Sequence, residues 1–250
     1  MLILVGLGLW DIRDISIRGL EAAKKADKVY VEYYTSLFFS SPDEIAEKIG
    51  KRVEVLERKD LEEDCIKIVE EAKNKDIVIL IPGDPMVATT HSILRVEAKR
   101  RGVESKIIHS SSIMSAVCGA TGLQSYRFGK TATVSWTKSR APLDVIEANR
   151  KIDAHTLLLL DLHPKPMQIS EAVDILASID SRVLNFYAVG LARIGESSEV
   201  YCDTLSKIRD HNFGATPHCI VVLAPKLHIV EYEYLSLFAN APKELEQILK

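Results

Sequence analysis

The chain has no surplus of charge of either sign: 32 Lys and Arg stand against 35 Asp and Glu, a net −3. No whole-molecule positive field draws it to nucleic acid or anionic lipid, so neither is expected as a partner. Cysteine is scarce and scattered. Cys65, Cys118, Cys202 and Cys219 form no CxxC pair, which speaks against a zinc site or a disulfide framework. With nothing that reads as a signal peptide, the expectation is free thiols in a reducing cytoplasm. Long apolar runs are missing too: "HTLLLLDL" is strand-sized, far short of the roughly 18 residues a membrane span needs. There is no low-complexity linker. What is present is 250 residues of 47% hydrophobic content, enough for one large α/β domain or two modest ones.

Apolar runs bounded by turn residues occur at "MLILVG", "KVYVEYY", "KRVEVLE" and "DIVILIPGD". Helical patterns "DISIRGLEAAKKA", "SPDEIAEKIG" and "LEEDCIKIVEEAKN" lie between them. This alternation is the signature of a parallel sheet. A helix at "TTHSILRVEAKRRG", a strand at "ESKIIH" and a small-residue segment "SSSIMSAVCGATGLQ" follow. The domain change is placed near Ser110, giving 1–110 and 111–250 as two α/β domains that pack around a cleft. In the second half strands are expected at "TATVSW", "HTLLLLDL", "RVLNFYAVGLAR" and "HCIVVLAP", and helices at "PLDVIEANRK" and "ISEAVDILASI". The tail from Lys226 is expected as a short strand or loop and then helix.

Three stretches carry candidate chemistry. In "LVGLGLWD", Gly6 and Gly8 open like a dinucleotide fingerprint, but the third glycine position is Asp11, a side chain that would repel a pyrophosphate. Glu32, 24 positions after Gly8, keeps the dinucleotide alternative open. In "IPGDPMVATTH" two prolines stiffen a strand exit around Gly83 and Asp84. Asp84 is either a turn former bonding nearby N–H groups or a charge facing a bound ligand. In "HSSSIMSAVCGATGLQ" the serines read first as a helix cap; a helix start near a domain boundary is also where a carboxylate or ribose binds.

The order of these stretches, with "GLQSYRFGK" and "KLHIVEYEYL" behind them, resembles the archaeal diphthine synthase family nearly end to end. That family belongs to the tetrapyrrole-methylase fold group of S-adenosylmethionine-dependent methyltransferases. The resemblance implies two α/β domains with the cofactor in the cleft between them. The Gly-rich turn is then no phosphate cradle. S-adenosylmethionine has no phosphate, and Asp11 is no defect. Matching motifs carry cofactor contacts onto Leu9, Asp84, Val87, Ser112 and Ile113, and from the second half onto Leu162, Ala192 and His218. His218 also reads as an ordinary strand-start histidine.

The resemblance further implies a homodimer and a protein substrate: a histidine of translation elongation factor 2 that already carries a 3-amino-3-carboxypropyl group, whose amine is methylated. In-line methyl transfer needs alignment and exclusion of water more than acid or base catalysis, so no general base is named. The substrate's carboxylate calls for a cation, for which Arg127 and Lys130 stand ready. Its methylated nitrogen calls for aromatic faces, for which Tyr33, Tyr34, Tyr126 and Trp136 are candidates. The loop "YVEYYTSLFFSS" is expected to expose apolar surface to a second copy. Two alternatives stay open: a tetrapyrrole methyltransferase of the same fold, with "KSR" at 138–140 meeting carboxylates, and an NAD-binding oxidoreductase using Gly6, Gly8 and Glu32.

Overall fold

The runs LILVG and IVILI are buried at every position. Because a strand turns successive side chains to opposite faces, such runs need a sheet covered on both sides. A computed structural model describes residues 1–250, which divide into two units, Met1–Ile113 and Met114–Lys250. In the first, β1 (Leu2–Gly6), α1 (Ile17–Lys25), β2 (Lys28–Glu32), α2 (Pro42–Ile49), β3 (Val53–Leu56), α3 (Arg58–Glu62), α4 (Cys65–Glu71), β4 (Ile77–Ile81), α5 (Ser92–Arg100) and β5 (Ser105–Ile108) follow in order. The strands are all parallel, arranged β3-β2-β4-β1-β5.

Leu2 and Leu4 join Ile77, Ile79 and Ile81 in a core closed by Ile68 and Val69 of α4 and Leu94 and Ala98 of α5. Ile3 and Val5 join Val78 and Leu80 in a second core closed by Ala23 of α1 and by Ile45 and Ile49 of α2. The helices after β1 and β4, which are neighbours, therefore lie on opposite faces. In an open parallel sheet the carboxyl ends of such a pair form a crevice where ligands collect.

Caps set the helix starts. Ser16 accepts from the Gly19 N–H at 3.0 Å, and Ser41 and Glu44 close a reciprocal capping box with Pro42 in the first turn. Each such cap is worth about 1 kcal/mol. The helical stretch from 14 is accordingly preceded by a short 3₁₀ turn, Ile12–Asp14, and only Ile17–Lys25 of it forms α1. The stretch 61–74 is two helices rather than one.

In the second unit α6 (Ile113–Thr121), β6 (Ala132–Val134), α7 (Ala141–Lys151), β7 (Thr156–Leu160), α8 (Ile169–Ile179), β8 (Tyr187–Ala192), β9 (Glu199–Thr204), α9 (Leu205–Asp210), β10 (His218–Val222) and α10 (Ile229–Phe238) follow, α6 starting on the last residue of the first. The sheet runs β6-β7-β10-β8-β9; β6 and β7 are parallel, the other pairings antiparallel. Leu158, Leu160, Ile220 and Val222 pack against Val173 and Leu176 of α8 and Leu205 and Ile208 of α9.

Two expectations need correcting here. The strand drawn over 182–193 begins as a 3₁₀ turn, Ser181–Asn185, because the Asp180 side chain accepts from the Arg182 N–H and caps it. The strand β9, "EVYCDT", went unanticipated because only Cys202 in it is buried, so it shows no apolar run. The tail is α10 followed by a 3₁₀ turn, Lys243–Ile248.

Candidate functional site

The first domain gathers its candidate residues at the carboxyl ends of β1, β4 and β5. Gly8 and Gly83 have φ of +90° and +71°, conformations that strain any residue with a Cβ. Their backbones hydrogen-bond each other, Gly8 N to Gly83 O at 3.2 Å and Gly83 N to Gly8 O at 2.8 Å, so the turns after β1 and β4 are tied together. Gly6 makes the close approach possible: a Cβ there would stand 2.6 Å from Gly83 O and 2.7 Å from Ser110 Cβ. Leu9 and Asp84 are the residues that follow the two tied glycines. A Cβ built on Gly83 would lie 3.9 Å from the Ser112 Cβ, its only close neighbour, so Ser112 borders that opening and Ile113 follows it as the first residue of α6. Val87 hangs on the turn through its N–H to Asp84 O at 3.1 Å, and Ala88 after it holds a φ of +55°.

Asp84 is buried, and its carboxylate ties the β4 turn to the end of β5. Oδ1 accepts from Met86 N at 2.9 Å; Oδ2 accepts from Ser110 N at 3.2 Å and lies 2.8 Å from His109 Nδ1. The turn-forming role is thus real, and it fixes the carboxylate at the lip of the opening.

Asp11 and Glu32 take local roles as well. Asp11 caps the 3₁₀ turn through Arg13 N at 2.8 Å and pairs with the Arg13 guanidinium, which draws its carboxyl below the usual value. Glu32 is fully buried, and burial raises its pKa. It accepts from Tyr34 N at 2.9 Å, Thr35 N at 3.0 Å and the Thr35 hydroxyl. A carboxylate so engaged is not offered to a ribose.

In the second domain Ala192, the last residue of β8, pairs in register with His218, the first of β10. Leu162 lies two residues past β7, whose Leu159 pairs with Cys219. All three stand at the same end of the three inner strands. Both ring nitrogens of His218 are committed: Nδ1 accepts from Ile169 N at 3.3 Å and Nε2 faces Ala215 O at 3.1 Å. Burial lowers its pKa and favours the neutral ring this pattern requires. Beside it is a residue that the motif reading passed over. Arg193 has a φ of +51°, and its guanidinium reaches Phe213 O at 2.5 Å, Ala215 O at 2.6 Å and Ser197 O at 3.2 Å, clamping the loop that leads to His218. Strain of this kind persists where the surroundings over-determine it, often at functional sites. The signal was its place next to Ala192 in "GLARIG".

The candidates for the substrate's carboxylate and ammonium are not brought together. Arg127 is 9% exposed and is spent inside the second domain, on fully buried Glu231, on Asp153 and on Lys226 O; its guanidinium is structural. Lys130 holds Asn149 through its backbone. Trp136 donates to Lys165 O at 3.0 Å and carries the Lys165 ammonium 5.0 Å from its ring centre. Tyr126 is 80% exposed. The aromatic loop of the first domain is only partly turned inward: Tyr33 and Phe38 pack on one core, Tyr34 on the other, and Phe39 stacks on Trp10 at 3.8 Å while staying 45% exposed.

Comparison with known proteins bears on this arrangement. The profile of the family described as Tetrapyrrole (Corrin/Porphyrin) Methylases matches residues 1–201. The chain is 57% identical to the diphthine synthase of Archaeoglobus fulgidus over 250 residues, covering 100% of both chains. It is 43% identical to that of Methanosphaerula palustris, covering 96% of this chain and 99% of the other. A crystal structure of diphthine synthase superposes with a TM-score of 0.98 at 56% identity, covering 99% of each chain. No helix is long and apolar enough to cross a membrane. With that identity over the full length of both chains and the same fold, the chain belongs to the tetrapyrrole methylase family and, within it, to the diphthine synthases, methyltransferases of diphthamide biosynthesis.

Proposed function

We propose that this chain methylates the amine of the 3-amino-3-carboxypropyl-histidine of translation elongation factor 2, with S-adenosylmethionine as donor. The observation that carries the reading is the 57% identity to a diphthine synthase across the whole of both chains. The same extent of identity favours this acceptor over a tetrapyrrole.

The donor supplies a methyl group activated by its sulfonium charge. The residues fit such a ligand. It brings no phosphate, and the β1 turn carries at position 11 a carboxylate that caps the turn where a phosphate site would need glycine. The space in front of Gly83, where even a Cβ would meet only Ser112, suits the close approach of a ligand to backbone. In this reading Leu9, Val87 and Ile113 give apolar contact, and Asp84 and Ser112 give polar contact at the same lip. Leu162, Ala192 and His218 hold their share at that end of the second sheet. His218 acts through its backbone, since its ring is occupied. These residues bind, orient and keep water away, which is most of what an in-line transfer asks.

The enzyme works in the cytoplasm as a homodimer. Supporting the first, all four cysteines are free thiols. Supporting the second, α10 leaves Leu237 and Phe238 at 77% and 64% exposure, an apolar surface suited to a second copy.

The test supplies labelled S-adenosylmethionine with elongation factor 2 carrying the aminocarboxypropyl-histidine. Label is expected on that factor and absent from factor with an unmodified histidine. Label on both alike, or only on an added tetrapyrrole, refutes the assignment.

A further inference from the structure

A cavity of about 520 Å³ in the second domain runs along one face of α7 and the turn 181–186. Its floor is apolar, with Leu143, Ile146, Val183 and Phe186, and on its wall four cations face two carboxylates. Two of the cations are neutralised within the fold. Arg182 holds Asp180 by a fork of 2.9 and 2.6 Å, and Arg140 divides itself between Asp144 at 3.1 Å and Glu147 at 3.0 Å. Arg150 and Lys151 pair with no carboxylate.

Arg150 is the unusual member. Its guanidinium is half-buried, lies 4.1 Å from the ring centre of Phe186 and donates one hydrogen bond, Nη1 to Leu223 O at 3.2 Å. Burial lowers its pKa. A guanidinium has five N–H donors in a planar fork that matches a carboxylate, and a partly desolvated cation without a counter-ion is costly. Stacking on Phe186 fixes the plane of the fork in advance, which lowers the entropy lost on pairing. The apolar floor lies beside it.

We propose that this groove docks a segment of the protein substrate in which a carboxylate is flanked by an apolar side chain, the carboxylate on Arg150 and Lys151 and the apolar group on the floor. The assignment rests on the function proposed above. An enzyme whose acceptor is one side chain of a folded protein gains orientation from contacts away from the reacting nitrogen. On a chain of net −3, a local excess of cations also selects which face of a partner approaches.

Arg150→Gln, which keeps a donor for Leu223 O, Lys151→Glu, on an exposed side chain, and the double variant test it. For each single variant, the KM for the modified elongation factor is expected to rise about tenfold, equivalent to roughly 1.4 kcal/mol. The affinity for S-adenosylhomocysteine by calorimetry is expected to stay that of the parent. Salt is expected to raise the parent's KM for the factor more than that of the double variant. A KM within twofold of the parent in both single variants overturns the groove assignment while leaving the function standing. A parent enzyme that does not label the modified factor overturns the function, and the groove assignment with it.

Discussion

Gly8 and Gly83 hold each other through two backbone hydrogen bonds, and both sit in the left-handed region. They differ in surroundings. A Cβ on Gly8 would lie 2.4 Å from Asp14 Cβ, whereas one on Gly83 finds open space up to Ser112. Gly8→Ala is therefore expected to cost stability, about 2–3 kcal/mol from strain and clash together. Gly83→Ala carries the strain alone, near 1 kcal/mol, but fills the space assigned to the cofactor. Urea unfolding with calorimetry of S-adenosylhomocysteine separates the two. Equal loss of affinity per unit of lost stability in both variants would contradict a cradle at Gly83.

Asp84→Asn tests the double role of that side chain. Its Oδ2 accepts from Ser110 N, and an amide can present an acceptor on one side only. Placing the amide oxygen there leaves Met86 N unmatched, and the reverse leaves Ser110 N facing a donor. A loss of about 1–3 kcal/mol is expected from the buried mismatch, together with weaker S-adenosylhomocysteine binding. Unchanged affinity in the surviving folded protein would reduce Asp84 to a turn former.

Arg193→Ala leaves Phe213 O and Ala215 O without their charged donor, so a loss of about 1–3 kcal/mol and weaker cofactor binding are expected. Arg193→Gly relieves the φ of +51° yet keeps no guanidinium. If the clamp matters, glycine does not restore affinity. Recovery with glycine would mean that only backbone strain was at stake.

Glu231 sets an acid limit on the second domain. Burial works against its ionisation, but hydrogen bonds from His155, His228 N and Gln124 N outweigh it and hold the carboxyl at about 2. With the folded value below the ordinary 4.5, the unfolded chain binds the proton more readily as pH falls. The contribution is complete above about 4.5 and lost as pH drops towards 2. Glu231→Gln is expected to flatten the stability profile across that window. It should cost about 3 kcal/mol at neutral pH, because it removes the buried carboxylate that faces Arg127 and leaves only Asp153 as a charged partner. A pH profile parallel to the parent's would show that another carboxyl governs acid unfolding.

What lies within one turn or one strand could be read from the amino acids alone. The wholly apolar LILVG and IVILI announce a parallel sheet covered on both faces, because alternating side chains leave such a run no wet side. The order of the glycine, "PGDPM" and serine stretches places Leu9, Asp84, Val87, Ser112 and Ile113 at strand ends, since each follows an apolar run. The tertiary structure decided which partner each polar group met. Arg127 reads as a substrate cation until Glu231, 104 positions away, is folded against it. Asp84 reads as a turn former or as a ligand, and only the fold shows that Ser110, 26 positions on, donates to it. Phe38 reads as exposed until a core receives it, while Phe39 keeps 45% exposure even as it stacks on Trp10. Strand β9 stayed hidden because it is held in place by pairing with β8 rather than by an apolar run of its own. Periodicity records where a side chain must be buried; the identity of its neighbour comes from loop closure over many residues, and local pattern carries no record of that.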